Sequence, residues 1–270
     1  MPLYYKLAKT LKVGTTYEAP KDIGYIVRRI GTDGSTDTKL VIDGKPTGPI
    51  IADIAPLHKT SSNLLGPLDL GEKYYVIPPE RKFWVEGPSG AKMRIEGKIV
   101  KLMPGETFPA DLLDRFSKQF KDYITYIKQS YSLGTNVTWS ANQEIEIYTL
   151  TPRTIEEYLL DSYIGVKVEN LSSALEEGQI ALRFYYDGVP LDHLTSDPGH
   201  LGIDVKYIPY PPSDTEEEEI ITLAEFPIKV LGDHTLKVTA INVSGGDLSP
   251  ATDTSITVTF YALVKYLMKG

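Results

Sequence analysis

The chain has 270 residues, of which 41% are apolar and 24% charged, and its formal net charge is −8. This length allows two domains that each bury a core, and the composition is typical of a soluble globular protein. The absence of cysteine excludes disulfides, thiolate metal sites and thiol nucleophiles, and no apolar run reaches the roughly 18 residues of a membrane helix.

The first segment, residues 1–104, has the pattern of an antiparallel β-sandwich. Its opening residues lack the continuous apolar region of a secretory signal, so we expect none there. Short alternating or β-branched runs are separated by Gly, Pro, Asn and Asp. These runs are Tyr4–Val13, Ile23–Ile30, Thr38–Ile42, Lys73–Ile77, Lys82–Val85 and Ala91–Leu102. With 16 Lys and Arg against 11 Asp and Glu, we predict a basic N-terminal β-sandwich over residues 1–104.

The second segment, residues 105–134, is predicted to be a helical linker. Between Phe108 and Tyr131, apolar side chains recur at three- and four-residue spacing, which indicates an amphipathic helix. Pro109 suits the first helical position, and Gly134 suits the end. We expect this single helix to cover one end of a sandwich or to bridge the two domains. Packing against neighbouring subunits is the alternative.

The third segment, residues 135–270, again reads as strands. The runs are Gln143–Leu150, Tyr163–Glu169, Gln179–Tyr186, Gly202–Ile208, Ile220–Lys229, His234–Asn242 and Thr254–Tyr266. It holds 8 Lys and Arg against 21 Asp and Glu, so we predict an acidic C-terminal β-sandwich. The opposite signs of the two halves suggest an oriented protein whose basic half faces an anionic neighbour. Drift of surface charge between divergent copies is the alternative.

The two strand-rich segments share one order of signals. In each, a strand, a polar turn and a second strand lead to an Asp-Gly-x-Pro element, at Asp43–Pro46 and again at Asp187–Pro190, 144 residues later. Asp-Gly is a common hairpin turn, so the order and spacing of all the elements carry the inference. We predict an all-β protein of two tandem jelly-roll-like sandwiches that arose by duplication.

No motif predicts catalysis. The chain lacks the GxSxG nucleophile elbow, the HExxH zinc motif and the glycine-rich nucleotide loops, so we expect neither an enzyme nor a cofactor. Weak metal candidates are Asp192, His193, Asp197 and His200, whose spacing matches no established site and is more simply that of a turn. Paired carboxylates that converge only on folding leave a sandwich-fold hydrolase as an open alternative.

Two kinds of residue point to surface contacts. Among 18 tyrosines, Tyr207 and Tyr210 lie in a proline-rich segment and suit a protein interface or a glycan platform, since the ring offers apolar area with a polar tip. Ordinary strand propensity is the alternative. Three glycosylation sequons occur at Asn136, Asn170 and Asn242. All lie in the acidic half, which would therefore face outward if a host glycosylates it.

The repeated strand–Asp-Gly-x-Pro–strand units, the absence of cysteine, the many tyrosines and the lack of an active site together resemble tandem jelly-roll virion structural proteins of thermophilic archaeal viruses. Tandem jelly rolls in those viruses form capsid subunits and vertex or turret proteins, and the resemblance suits a vertex, turret or tail component as well as a main capsid subunit. The resemblance implies a self-assembling particle component located in the virion, with itself and other virion proteins as partners and a homo-oligomeric state. It transfers no site residue, and the helix between the domains departs from the double-jelly-roll pattern.

Other functions remain open at this stage. A carbohydrate-binding or host-attachment module would bind host-surface glycans, because jelly rolls also serve as lectins. The lysines of the basic half are scattered among strands without stacking aromatics, so we expect no specific nucleic-acid readout. Loose contact with nucleic-acid phosphates would require only the excess charge.

Overall fold

The computed structural model describes residues 2–59, 65–160, 163–191, 202–208 and 227–269. They form antiparallel sheets and one α-helix, which confirms the predicted all-β sandwich class. The chain divides into two compact units, residues 1–126 (unit 1) and 127–270 (unit 2).

Unit 1 contains two antiparallel sheets. One has the order β1-β9-β3-β6 with β7 also paired to β3, and the other has the order β2-β8-β4-β5. The strands are β1 Leu3–Lys12, β2 Tyr17–Glu18, β3 Ile23–Thr32, β4 Lys39–Ile42, β5 Lys45–Pro46, β6 Leu68–Asp69, β7 Tyr75–Ile77, β8 Lys82–Glu86 and β9 Lys92–Lys101. Between the sheets, Phe83 is fully buried, stacks on Tyr17 and meets the edge of Tyr25.

The only α-helix in the described residues, α1, is shorter than predicted and belongs to unit 1. It spans Ala110–Lys118 rather than the whole 105–134 segment. Its Leu112 packs with Ile26, Val76 and Val100 on the outer face of the first sheet. The predicted helical linker is therefore wrong, because α1 covers part of a sheet within unit 1 and ends before the unit boundary.

Strand β10, Asp122–Leu133, replaces the second half of the predicted helix and spans the boundary between the units. The helix ends where the Gln119 side chain pairs with the buried Val76 backbone, donating to its carbonyl and accepting from its amide. The β-branched and aromatic run that follows favours a strand. Pairing with the neighbouring strand β19 supplies partners for the backbone groups of this run.

Unit 2 repeats the architecture of unit 1. One sheet has the order β10-β19-β12-β17 with β13 also paired to β19, and the other has the order β11-β18-β14-β15 with β16 paired to β14. The remaining strands are β11 Glu144–Leu150, β12 Glu156–Leu160, β13 Ile164–Glu169, β14 Ile180–Tyr186, β15 Val189–Pro190, β16 Ile203–Asp204, β17 Ile228–Val230, β18 Leu236–Asn242 and β19 Ile256–Met268. The sequence did not predict β12.

The two Asp-Gly-x-Pro elements, which carried the prediction of a duplication, have similar local contacts. Both Asp-Gly-x-Pro elements are hairpin turns in which Asp and Gly have positive φ, at 55° and 78° for Asp43 and Gly44 and at 49° and 80° for Asp187 and Gly188. The Asp43 amide donates to Lys82, and the Asp187 amide donates to Thr235. The Asp43 carboxylate also contacts the Arg81 guanidinium, just before β8. The Asp187 carboxylate contacts the His234 ring, just before β18. The two turns thus make equivalent backbone hydrogen bonds and side-chain contacts with different partner residues.

One buried carboxylate should make unit 2 sensitive to acid. Glu156 is 5% exposed and accepts hydrogen bonds from Arg153 and from the Tyr266 hydroxyl. The Arg153 side chain, more than any other group, holds the pKa of Glu156 below its ordinary value. As the pH falls, the Glu156 carboxylate is protonated at a higher pH in the unfolded chain than in the folded one. Its contribution to the free energy of unfolding is therefore full above about pH 5, and it is lost as the pH falls through the lowered folded pKa.

We expect Glu156→Gln to lose less of its unfolding free energy between pH 7 and pH 3 than the wild type does, because the amide does not titrate. Urea unfolding at both pH values measures this difference. Tyr266→Phe, which removes one of the hydrogen bonds to Glu156, should fall between the two. Identical pH profiles for all three proteins would contradict the assignment.

Candidate interaction surface

Strand β1 is an open sheet edge. Among the described residues it pairs only with β9, in continuous register from Leu3 opposite Lys101 to Lys12 opposite Lys92. Its other side therefore presents strand backbone groups from Leu3 up to Lys12, whose backbone amide donates to the Tyr17 hydroxyl at 3.1 Å. Such an edge is a template for pairing with another chain unless side chains prevent it.

The first three residues of β1 are large, apolar and exposed. Leu3 is 44% exposed, Tyr4 52% and Tyr5 53%. We name Leu3–Tyr5 the apolar end of β1. Further along the strand, Leu7 and Leu11 turn into the core, while lysines flank them. Lysine on an edge discourages unspecific pairing, so the sequence of β1 restricts any apolar contact to its first three residues.

The Tyr4-Tyr5 pair shows what the sequence missed. Strict alternation predicts one inward and one outward ring, as occurs for Tyr74 and the buried Tyr75. At Tyr4-Tyr5 both rings are exposed. Tyr5 lies on the core side of the sheet, because it shares that side with Leu7 and Leu11, and yet the core does not cover it. A leucine directly before the two tyrosines was the only sequence signal of an exposed cluster.

Tyr185 of unit 2 is held by polar and charged neighbours. Tyr185 donates its hydroxyl proton to Glu144, and the Lys237 ammonium and Arg183 guanidinium lie 4.6 and 5.3 Å from the centre of its ring. Burial acts to raise the pKa of Glu144, but hydrogen bonds from Thr239 and Tyr185 hold it below its ordinary value. The ring and the carboxylate satisfy each other, which leaves no exposed stacking surface for a sugar here.

The other predicted site residues fall in two groups. Asp192, His193, Asp197, His200 and Tyr210 lie outside the described residues, and for Tyr207 the backbone alone is described, in a short 3-10 turn. Within the described ranges, no group of three or more His, Asp or Glu side chains is placed to hold a metal ion. In the same ranges, no helix is long and apolar enough to cross a bilayer.

The three sequons differ in access. Asn136 and Asn170 are exposed and have positive φ, as turn residues do. Asn242 is fully buried, and its amide nitrogen donates to the backbone carbonyls of Trp139 and Gly246. The expectation of three available acceptors is therefore wrong for Asn242, because a glycan on that nitrogen has no room in the folded unit.

Comparison with known proteins assigns the chain to no family. No family model matches the chain, and no curated protein matches it. A solved structure of the STIV MCP is 11% identical, over 98% of this chain and 97% of that one, with a TM-score of 0.34. The ANXUR2 extracellular domain from Arabidopsis thaliana is 9% identical, over 95% and 83%, with a TM-score of 0.27. A structure of infectious bursal disease virus, Gx strain, is 11% identical, over 100% and 76%, with a TM-score of 0.20.

No function follows from likenesses of this size. Any functional conclusion has to rest on the residues of this chain, and the apolar end of β1 is the feature in the described structure that most needs a partner.

Proposed function

We propose that this protein is a non-enzymatic structural component of a virus particle that assembles through its sandwich edges, with the apolar end of β1 as one contact. The carrying observation is the exposure of Leu3, Tyr4 and Tyr5 on an open ten-residue edge strand. Three adjacent large apolar side chains in water are unfavourable by themselves, and burying them against a partner removes that cost.

Edge pairing supplies the directional part of such a contact. A partner strand laid against β1 would pair its backbone amides and carbonyls, while Leu3 and Tyr5 on one side of the strand and Tyr4 on the other would clamp it. A contact of this kind repeats readily in a closed ring or a lattice. The composition without catalytic motifs and the duplicated sandwich are consistent with a shell component rather than an enzyme.

Replacing Leu3 and Tyr5 together by lysine should abolish assembly while leaving the fold intact, because both side chains are exposed and lysine is tolerated on sheet edges. Native mass spectrometry and electron microscopy of the purified chain measure the oligomer distribution. We expect the wild type to form closed oligomers or lattices and the Leu3→Lys/Tyr5→Lys variant to be at least tenfold weaker in association.

The matched control is Val137→Lys/Ile155→Lys, which changes charge equally at two exposed apolar positions outside the strands, 46% and 49% accessible. It should assemble as the wild type does. A wild-type chain that stays monomeric at all salt and protein concentrations, or a control that loses assembly equally, would contradict the proposal. Binding of the monomer to a glycan array would instead favour the host-attachment function.

A further inference from the structure

The outer face of the first sheet of unit 1 carries a second unexplained feature. Helix α1 covers only the part of this face around Ile26 and Val100. The remainder presents cationic side chains, which we name the cationic face: Lys6, Lys12, Arg29, Lys92, Arg94 and Lys98. The lysines and Arg94 lie on one side of the sheet because they alternate along β1 and β9 with the buried Leu7, Leu11 and Met93. Arg29 lies on the same side because it pairs with Glu96, which alternates in the same way along β9.

The register sets like charges against each other. Lys6 lies directly opposite Lys98, and Lys12 directly opposite Lys92. Residues opposite one another in an antiparallel pair have Cβ atoms about 5 Å apart, and like charges there are destabilising. All four lysines are exposed. Two such pairs within one strand pair are unfavourable for the isolated fold, and a bound anion would remove the repulsion.

The face has little internal neutralisation. Across β1, β9 and β3 its single carboxylate is Glu96, which already accepts from both Arg29 and Arg94 at 3.2 and 3.1 Å. Asp69 follows on β6, opposite Arg29, and accepts a hydrogen bond from the Gly71 backbone. Asp33, directly after β3, accepts a hydrogen bond from the Lys92 backbone amide at 2.6 Å. Three carboxylates thus stand against six cations, and Glu96, the one on β9, is already shared by two arginines.

We propose that the cationic face binds the phosphate backbone of double-stranded nucleic acid without reading its sequence. From the Lys12–Lys92 pair to the Lys6–Lys98 pair is six residue steps, or about 20 Å, and three strands span about 10 Å. A narrow strip of this size matches the backbone of a rod-like polyanion, and a duplex carries about one charge per 1.7 Å of its axis. Between the two lysine pairs β1 carries only Ala8 and Thr10, and the one large apolar side chain on this side of β1 is Tyr4 at its end, beside Lys98, which is less apolar area than a helix or loop that inserts into lipid presents.

This inference goes beyond the assembly role and stands without it, since phosphate contact requires no second subunit. The chemistry is charge neutralisation: each lysine that meets a phosphate releases a condensed counterion. Binding should therefore be independent of base sequence and steeply dependent on salt.

Fluorescence anisotropy with two labelled duplexes of about 20 base pairs and unrelated sequence tests the proposal on the full chain. We expect equal affinity for both, in the micromolar range near 50 mM salt, and a fall on the order of 10²- to 10³-fold by 200 mM. In Lys6→Gln/Lys98→Gln the magnitude of the negative slope of log K against log salt should be smaller by about 2. The affinity of this variant for the duplex should be at least tenfold weaker at low salt.

The matched control is Lys21→Gln/Lys82→Gln, which removes two exposed lysines of the same unit that lie off the cationic face. It should bind as the wild type does. Thermal unfolding gives an independent readout: without duplex, Lys6→Gln/Lys98→Gln should melt no lower than the wild type, because it removes a repulsive pair. No binding at 50 mM salt, equal losses in both variants, or retention on phosphatidylserine vesicles but not on duplex would overturn the proposal.

Discussion

Gly97→Ala should destabilise unit 1 by about 3 kcal/mol or more. Gly97 lies in β9 between Leu7 of β1 and Val27 of β3, and its φ is +153°. A Cβ at this position would be 2.0 Å from the Ile26 carbonyl oxygen and 2.9 Å from the Arg28 amide nitrogen. Both atoms belong to backbone held in the sheet, so neither can withdraw without breaking the pairing of β3 with β9.

The reason for this close approach is a bulge in β3. The register with β9 shifts between Val27 and Arg29, so Arg28 is an extra residue, and its guanidinium lies 4.3 Å from the Tyr74 ring centre. Glycine in a strand interior commonly marks such a position. The bulge lies within the cationic face, between the Lys6–Lys98 pair on one side and the Lys12–Lys92 pair on the other.

Gly90→Ala is the matched control. Gly90 also has positive φ, at 84°, but its Cβ would meet nothing within 4 Å. It should therefore show only the conformational cost of a left-handed alanine, about 1 kcal/mol. Urea unfolding with hydrogen exchange of peptides from β1, β3 and β9 separates the two variants. Equal stabilities for Gly97→Ala and Gly90→Ala would show that the backbone contact is not rigid.

Asn242→Ala should destabilise unit 2 by about 2 to 4 kcal/mol. Besides donating to the Trp139 and Gly246 carbonyls, both at 2.8 Å, the Asn242 side chain accepts from the backbone amide and the hydroxyl of Ser244. It ties the end of β18 to the turn that follows and to Trp139 in the segment that precedes β11. Alanine would leave the Trp139 and Gly246 carbonyls and the Ser244 amide without the Asn242 side chain. A polar group that stays buried without a partner costs more free energy than the removal of both partners of a hydrogen bond.

Ser244→Ala controls for glycosylation, because it removes the same sequon while keeping the Asn242 amide. Its hydroxyl is exposed and its loss should cost no more than about 1 kcal/mol. The unfolding midpoint can be followed through the buried Trp139, whose indole donates to the Gln143 carbonyl. If both variants are equally destabilised, the asparagine side chain is not the central group of this turn.

Strand β1 serves both proposed contacts with different parts of its surface. Its first three residues present apolar area at the open edge, whereas Lys6 and Lys12 point outward from the sheet face. The two proposals can therefore fail separately. Loss of assembly in Leu3→Lys/Tyr5→Lys with unchanged duplex binding would show that the edge and the face act independently.

The sequence by itself determined the β class, the repeat and most strands. Alternation of apolar residues and Asp-Gly turns are local signals, and the positive φ of Asp43–Gly44 and Asp187–Gly188 follows from local sterics alone. Composition also determined the unequal charge of the two halves, since a charge count needs no coordinates.

Only the tertiary structure decided the features that suggest function. Residues 122–133 are a strand and not a helix because β19 supplies backbone partners, and three-residue spacing of Ile124 and Ile127 is ambiguous without that pairing. Asn242 reads as an exposed acceptor until β18 carries it into the interior. Lys6 and Lys98 are 92 positions apart in the sequence, and only their register across β1 and β9 makes them opposed like charges. Such pairings depend on contacts distant in sequence, which local propensity does not encode.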